Sequence, residues 1–167
     1  MNRLEIEIAN QQTEHPVQAD RLEAAVRRVL VDKGIQRGEV SIAVTDDSTI
    51  HELNQRYLQH DYATDVLSFL LAAAPARLEG EIVVSVDTAA RMAPDYGWST
   101  DDELLLYAIH GALHLVGFDD ATPEAAATMR EKEQFYLSQF DVRPSKDGVP
   151  TRDRFRDDEG AQGDAAQ

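Results

Sequence analysis

Hydrophobic and polar positions alternate along this chain in two periods, and the switches between them mark out its elements. Leu4, Ile6 and Ile8 interleave with Glu5 and Glu7, which predicts a strand with one wet face near a sheet edge. Val40, Ile42 and Val44 repeat that period of two. Between them Leu22, Ala25, Val26, Val29 and Leu30 recur at helical spacing, so a helix is expected from a cap at Asp20 to about Lys33, with Gly34 as its stop. A second helix opens at Asp47 or Ser48 and carries Ile50, Leu53 and Tyr57 on one face. The runs Asp65 to Leu70 and Glu81 to Val86 have strand length, and Ile-Val-Val-Ser-Val in the latter reads as a central strand.

The second half is helical. Asp87 caps a short helix broken at Pro94. Thr100-Asp101-Asp102-Glu103 reads as a capping box, and the helix behind it is apolar almost all round, with Leu104, Leu105, Leu106, Ile109, Leu113, Leu115 and Val116. That helix belongs in the core. Thr122-Pro123 starts a last helix through about Phe140, with Ala126, Met129, Tyr136 and Phe140 facing inward. Alternating short elements without repeats predict one compact domain over residues 1–140. Residues 141–167, rich in charge, Pro, Gly and Gln, are expected to be a disordered acidic tail.

His110 and His114 sit four apart on the buried helix, where side chains share a face about 5–6 Å apart, so both can address one ion. Gly117 can take the left-handed conformation that ends the helix and returns Asp120 to the open side of that ion. Two histidines and a carboxylate leave a coordination position free, as a catalytic site requires. The alternative is a pair of hydrogen-bonded histidines at the edge of the core. Imidazoles on a helix this apolar need polar partners, and a metal serves two at once.

Composition narrows the chemistry. The chain has no cysteine, which removes disulfides, thiolate ligands and a cysteine nucleophile. It shows no secretory leader pattern and no apolar run of membrane-spanning length, so a soluble, cytoplasmic protein is expected. A formal net charge of −15 argues against a generic nucleic-acid binder. Arg21, Arg27, Arg28 and Arg37 fall on or just after the first helix, either as a solvated face or as a local basic patch in which Arg28 is a candidate RNA contact.

His-x-x-x-His-x-x-Gly-x-x-Asp has the ligand spacing of metzincin peptidases, which carry a glutamate base after the first histidine. Here that residue is Gly111, which disfavours a peptidase. Non-haem iron oxygenases use two histidines and a carboxylate, but on other spacings. The run His110-Gly-Ala-Leu-His-Leu-Val-Gly-Phe-Asp119, together with Leu53-Asn-Gln-Arg-Tyr57, Thr64-Asp-Val-Leu-Ser-Phe69 and Gly80-Glu-Ile-Val-Val-Ser85, resembles the YbeY family of bacterial endoribonucleases. The resemblance runs from about the first strand to the final helix. It implies an α+β fold, a mixed four-stranded sheet packed with helices, and a metzincin-like metal helix. It also implies a zinc-type ion, single-strand-specific RNA cleavage, 3′-end maturation of small-subunit ribosomal RNA and a part in ribosome quality control. Ribosomal RNA and the small subunit are the implied partners, with its assembly proteins as further ones.

Departures from the family pattern qualify this. The family has a third histidine where this chain has Asp120, a harder ligand that keeps zinc first and admits manganese or iron. The family arginine after the tyrosine of the second block is here Leu58, and Arg56, two residues earlier, is the candidate replacement. Ala63, Leu70 and Glu81 replace a Pro, a Pro and an Asp. The expected site is His110, His114 and Asp120 on the metal, with His114 acting through it. Thr64 and Ser68 would offer hydroxyls to RNA, and Asp65 would orient a ligand; the plain alternative is a buried strand with a polar start. His15 and His51 read as ordinary surface residues, while His60 replaces a basic family residue. Three functions stay open: metal-dependent endoribonuclease, metallohydrolase of another substrate such as a peptide, and ribosome-assembly binding protein without turnover.

Overall fold

The computed structural model describes residues 3–58 and 64–143. The elements run β1 (Arg3–Asn10), α1 (Ala19–Asp32), β2 (Arg37–Thr45), α2 (Asp47–Leu58), β3 (Val66–Ala74), β4 (Arg77–Ser85), α3 (Val86–Met92), a 3₁₀ turn (Ala93–Tyr96), α4 (Thr100–Leu115) and α5 (Pro123–Ser138). The sheet is mixed, in the order β1-β2-β4-β3. β1 pairs with β2 and β2 with β4 in parallel, and β3 closes the far edge antiparallel to β4. The α+β expectation holds, with β1 at an edge and β4 inside.

Because strand side chains alternate between faces, the sheet divides the core in two. Leu4, Ile6, Val40, Ile42, Val44, Leu78, Ile82 and Val84 face the larger core with α1, α3, α4 and α5. Ala43, Leu67 and Val83 face the other way, under Ile50, Leu53 and Leu58 of α2. α4 is the axis of the larger core, buried at twelve of its sixteen residues, as its all-round apolar sequence predicts.

Several boundaries fall one or two residues from expectation, at α3 and α4 because another side chain caps the helix. The box on α4 is Ser99 with Asp102, in which the Ser99 hydroxyl accepts the Asp102 N–H at 3.1 Å. Glu103 turns inward instead and is buried. α1 begins after Gln18, whose N–H donates to Asp101 Oδ1 at 3.2 Å, so Asp20 lies inside the first turn instead of capping it. α3 is capped by Ser85, and Asp87 instead accepts the N–H of Asp47 at 3.0 Å. Phe140 packs against the larger core as expected, partly buried and just beyond the end of α5 at Ser138. β3 and β4 extend beyond the predicted runs into a hairpin whose tight reversal holds Ala76 at φ 62°.

His60, Ala63 and residues 144–167 lie outside the described residues. Among the described residues no helix is long and apolar enough to cross a membrane.

Candidate metal centre

α4 delivers His110 and His114 one turn apart. Behind them the helix ends on Gly117 at φ 104°, and Phe118 N–H bonds back to the Leu113 carbonyl at 3.0 Å. This is the reversal that a left-handed glycine permits. It carries Asp120 back to the histidines, so His110, His114 and Asp120 bring one ligand atom each within 4.8 Å of one another and could hold a metal ion.

The donor geometry suits that ion. His110 Nε2 lies 3.0 Å from His114 Nε2, and the Asp120 carboxylate is 3.8 Å and 3.9 Å from the two nitrogens. Ligands about 2.0–2.2 Å from a tetrahedral ion stand about 3.3–3.6 Å apart, so small adjustments would close the set on zinc. His110 and Asp120 are buried and His114 half-buried, which leaves the opening on the His114 side.

Glu133, from the buried face of α5, meets His110 Nδ1 at 2.5 Å. Burial pushes the His110 pKa down, but the hydrogen bond and charge of Glu133, with the charges of Asp120 and Asp65, outweigh it and hold the imidazole above its ordinary value. Nothing in the ligand spacing points to Glu133. The signal was present elsewhere: positions 126, 129, 133 and 136 share one helical face, and an acid among apolar residues there needs a buried partner.

The other candidates fall as follows. Asp65 is buried beside the cluster, accepting from the Thr64 hydroxyl at 3.2 Å and from Val66 N–H at 3.0 Å. Ser68 donates its hydroxyl to the Gly111 carbonyl at 3.2 Å, tying β3 to α4. Arg56 lies in the last turn of α2, 58% exposed, with Glu52 at 3.9 Å, while Leu58 packs into the smaller core. Arg28 faces Asp32 at 3.5 Å on the exposed side of α1. Arg21 and Arg27 hold the Phe140 and Leu4 carbonyls, so half of the arginine group is committed to holding the fold. Glu14, His15 and Asp87 make a second, more exposed group of donors.

Residues 7–141 match the family Endoribonuclease YbeY. The chain is 40% identical over 145 residues to Endoribonuclease YbeY of Rhodopirellula baltica, spanning 83% of this chain and 74% of that one. It is 41% identical over 143 residues to Endoribonuclease YbeY of Salinibacter ruber, spanning 79% and 91%. The Moorella thermoacetica protein of the same name is 38% identical over 156 residues, 84% and 99% of the two chains. In fold the chain resembles a solution structure of a Thermotoga maritima protein, with TM-score 0.56 over 97% of this chain and 99% of that one at 24% identity.

Proposed function

Because the chain belongs to the YbeY family and is an endoribonuclease of that family, we propose that it cuts single-stranded RNA in a metal-dependent reaction. We assign it to 3′-end maturation of small-subunit ribosomal RNA and to ribosome quality control in the cytoplasm. The observation that carries the metal dependence is the convergence of His110, His114 and Asp120 on one point at the end of a buried helix. These three would hold one divalent ion, zinc first, with manganese or iron admitted by the carboxylate. When bound, such an ion supplies Lewis acidity towards a phosphoryl oxygen and towards water.

The chain's own residues set the rest. His110 and Asp120 keep the inner side of the site closed to solvent, so RNA approaches from the half-buried His114. Thr64, just ahead of β3, and Ser68 within it are candidate phosphate contacts once their hydroxyls turn from Asp65 and the Gly111 carbonyl, and the buried Asp65 carboxylate adds negative charge around His110 that favours a bound cation. Leu58 brings no charge to the phosphate. Arg56 is the nearest guanidinium along the chain and our candidate for that contact, with Arg28 a more distant one.

A second reading, an assembly protein without turnover, is favoured by Leu58 standing where the family pattern has arginine. Metal-loaded protein incubated with an end-labelled, unstructured RNA separates the two. Internal cuts that disappear when the RNA is annealed to its complement support the nuclease, whereas an intact RNA with metal bound supports the alternative. The ribosomal partner rests on family membership. Sedimentation of extract at low salt should find the protein with small subunits, and recovery only in the free fraction under several growth conditions would count against that role.

A further inference from the structure

Glu133 is a fully buried carboxylate on a helix that docks through apolar neighbours. Ala126, Met129, Tyr136 and Leu137 enter the core from the same element, and the Tyr136 hydroxyl fastens it to Asp32 of α1 at 2.9 Å. The docking of α5 therefore has its own apolar face and its own polar tie. An acid enclosed at this position is costly unless specific partners meet it, and His110 Nδ1 meets it at 2.5 Å.

A carboxylate accepts and does not donate when ionised, whereas a neutral imidazole has one N–H and one lone pair. Glu133 thus selects the His110 form that carries its hydrogen on Nδ1. The lone pair is left on Nε2, the atom 3.0 Å from His114 Nε2 and 3.8 Å from the Asp120 carboxylate. We infer that Glu133 is a positioning residue for the metal: it fixes the tautomer and ring orientation of His110 so that Nε2 points at the ion. The inference rests on reading His110, His114 and Asp120 as a metal site. It adds that α5, twenty-three residues along the chain from His110, is part of that site without supplying a ligand. A carboxylate behind a metal-binding imidazole also raises its basicity towards the ion.

The test is the affinity of the full chain for zinc, measured by chelator competition, and the visible spectrum of the cobalt-substituted protein. Wild type is compared with Glu133→Gln, which keeps volume and an acceptor, and with Glu133→Met, which removes the acceptor. Thermal unfolding of the metal-free proteins reports the merely structural cost. The expected order of affinity is wild type, then Glu133→Gln, then Glu133→Met, with Met losing about 10–100-fold. The cobalt bands should shift in both variants. Unchanged affinity and cobalt bands in a folded Glu133→Met overturn the inference; if that variant does not fold, the same result in Glu133→Gln does so. Failure of the wild type itself to take up zinc or cobalt removes instead the metal-site reading on which the inference stands.

Discussion

The Ser68 hydroxyl donates to the Gly111 carbonyl at 3.2 Å, which ties the edge strand to the metal helix one residue beyond its first histidine. The contact is close because Gly111 has no side chain: a Cβ built there lies 2.8 Å from Ile82 Cγ2 and 3.1 Å from Ser68 Oγ. Peptidases of this ligand spacing carry their glutamate base at that position. In this chain a side chain there would run into the sheet, so close packing and the lack of that base go together.

Gly111→Ala should therefore destabilise the protein. Alanine gains up to about 1 kcal/mol of helix propensity over glycine. Forcing a methyl against Ile82 costs about 1–3 kcal/mol, and this wins because a Cγ2 methyl on a packed strand has little room to yield. Urea unfolding at neutral pH checks it, and an unchanged or raised midpoint would show that the helix can lift off the sheet at no cost.

Asp120→Ala should lower bound metal sharply, whereas Asp119→Ala should lower it much less. Asp120 is buried against both histidines, while the Asp119 carboxylate points into its own turn and accepts the Ala121 N–H at 3.1 Å. Metal analysis after dialysis against metal-free buffer gives the comparison. Equal retention by Asp120→Ala and wild type would remove Asp120 from the ligand set.

These tests bear on residues that differ in how visibly the sequence announces them. β1 was legible because Leu4, Ile6 and Ile8 alternate with exposed Glu5 and Glu7, and α4 because its apolar residues leave no wet face. The far half of β3 was not, since Leu70-Leu71-Ala72-Ala73-Ala74 has no alternation and its pairing slips between Leu70 and Ala72. The strand order β1-β2-β4-β3 depends on packing between distant segments and leaves no local trace. The histidine pair was legible because four residues make one helical turn. Glu133 was not, because its meaning depends on how α5 lies across α4.

Asp47 offers a test by pH. It accepts from Ser85 Oγ at 2.5 Å, Thr88 Oγ1 at 2.8 Å and Arg91 at 2.6 Å, binding α2 to the β4–α3 junction. Burial raises its pKa, but those hydrogen bonds and the Arg91 charge outweigh burial and hold it below the ordinary 3.8. A lowered carboxylate pKa contributes stability that is complete above 3.8 and fades as pH falls through the folded value. Asp47→Ala should thus cost about 1–3 kcal/mol at neutral pH, and the gap from wild type should narrow by about pH 3. Urea midpoints at the two pH values report it, and a gap independent of pH would exclude the ionised carboxylate as its source.

Leu58 and Arg56 should differ in kind. Absence of a preorganised donor at position 58 is expected to slow cleavage by about 10²–10³, so Leu58→Arg should speed single-turnover cleavage without changing metal content. Arg56→Ala, removing an exposed phosphate contact, should weaken RNA binding and reduce its salt dependence by about one ion, with the rate on saturating RNA preserved. Loss of all cleavage in Arg56→Ala would instead make Arg56 the working replacement for the family arginine.

The central claim is that one ion at His110, His114 and Asp120 makes this chain cut RNA, and titration of metal-free protein with zinc under single-turnover cleavage of an unstructured labelled RNA tests it most directly. Internal cleavage should rise from zero with added metal and level off at one equivalent per chain. Cleavage of the same RNA before any metal is added, or none once one equivalent is bound, would contradict it.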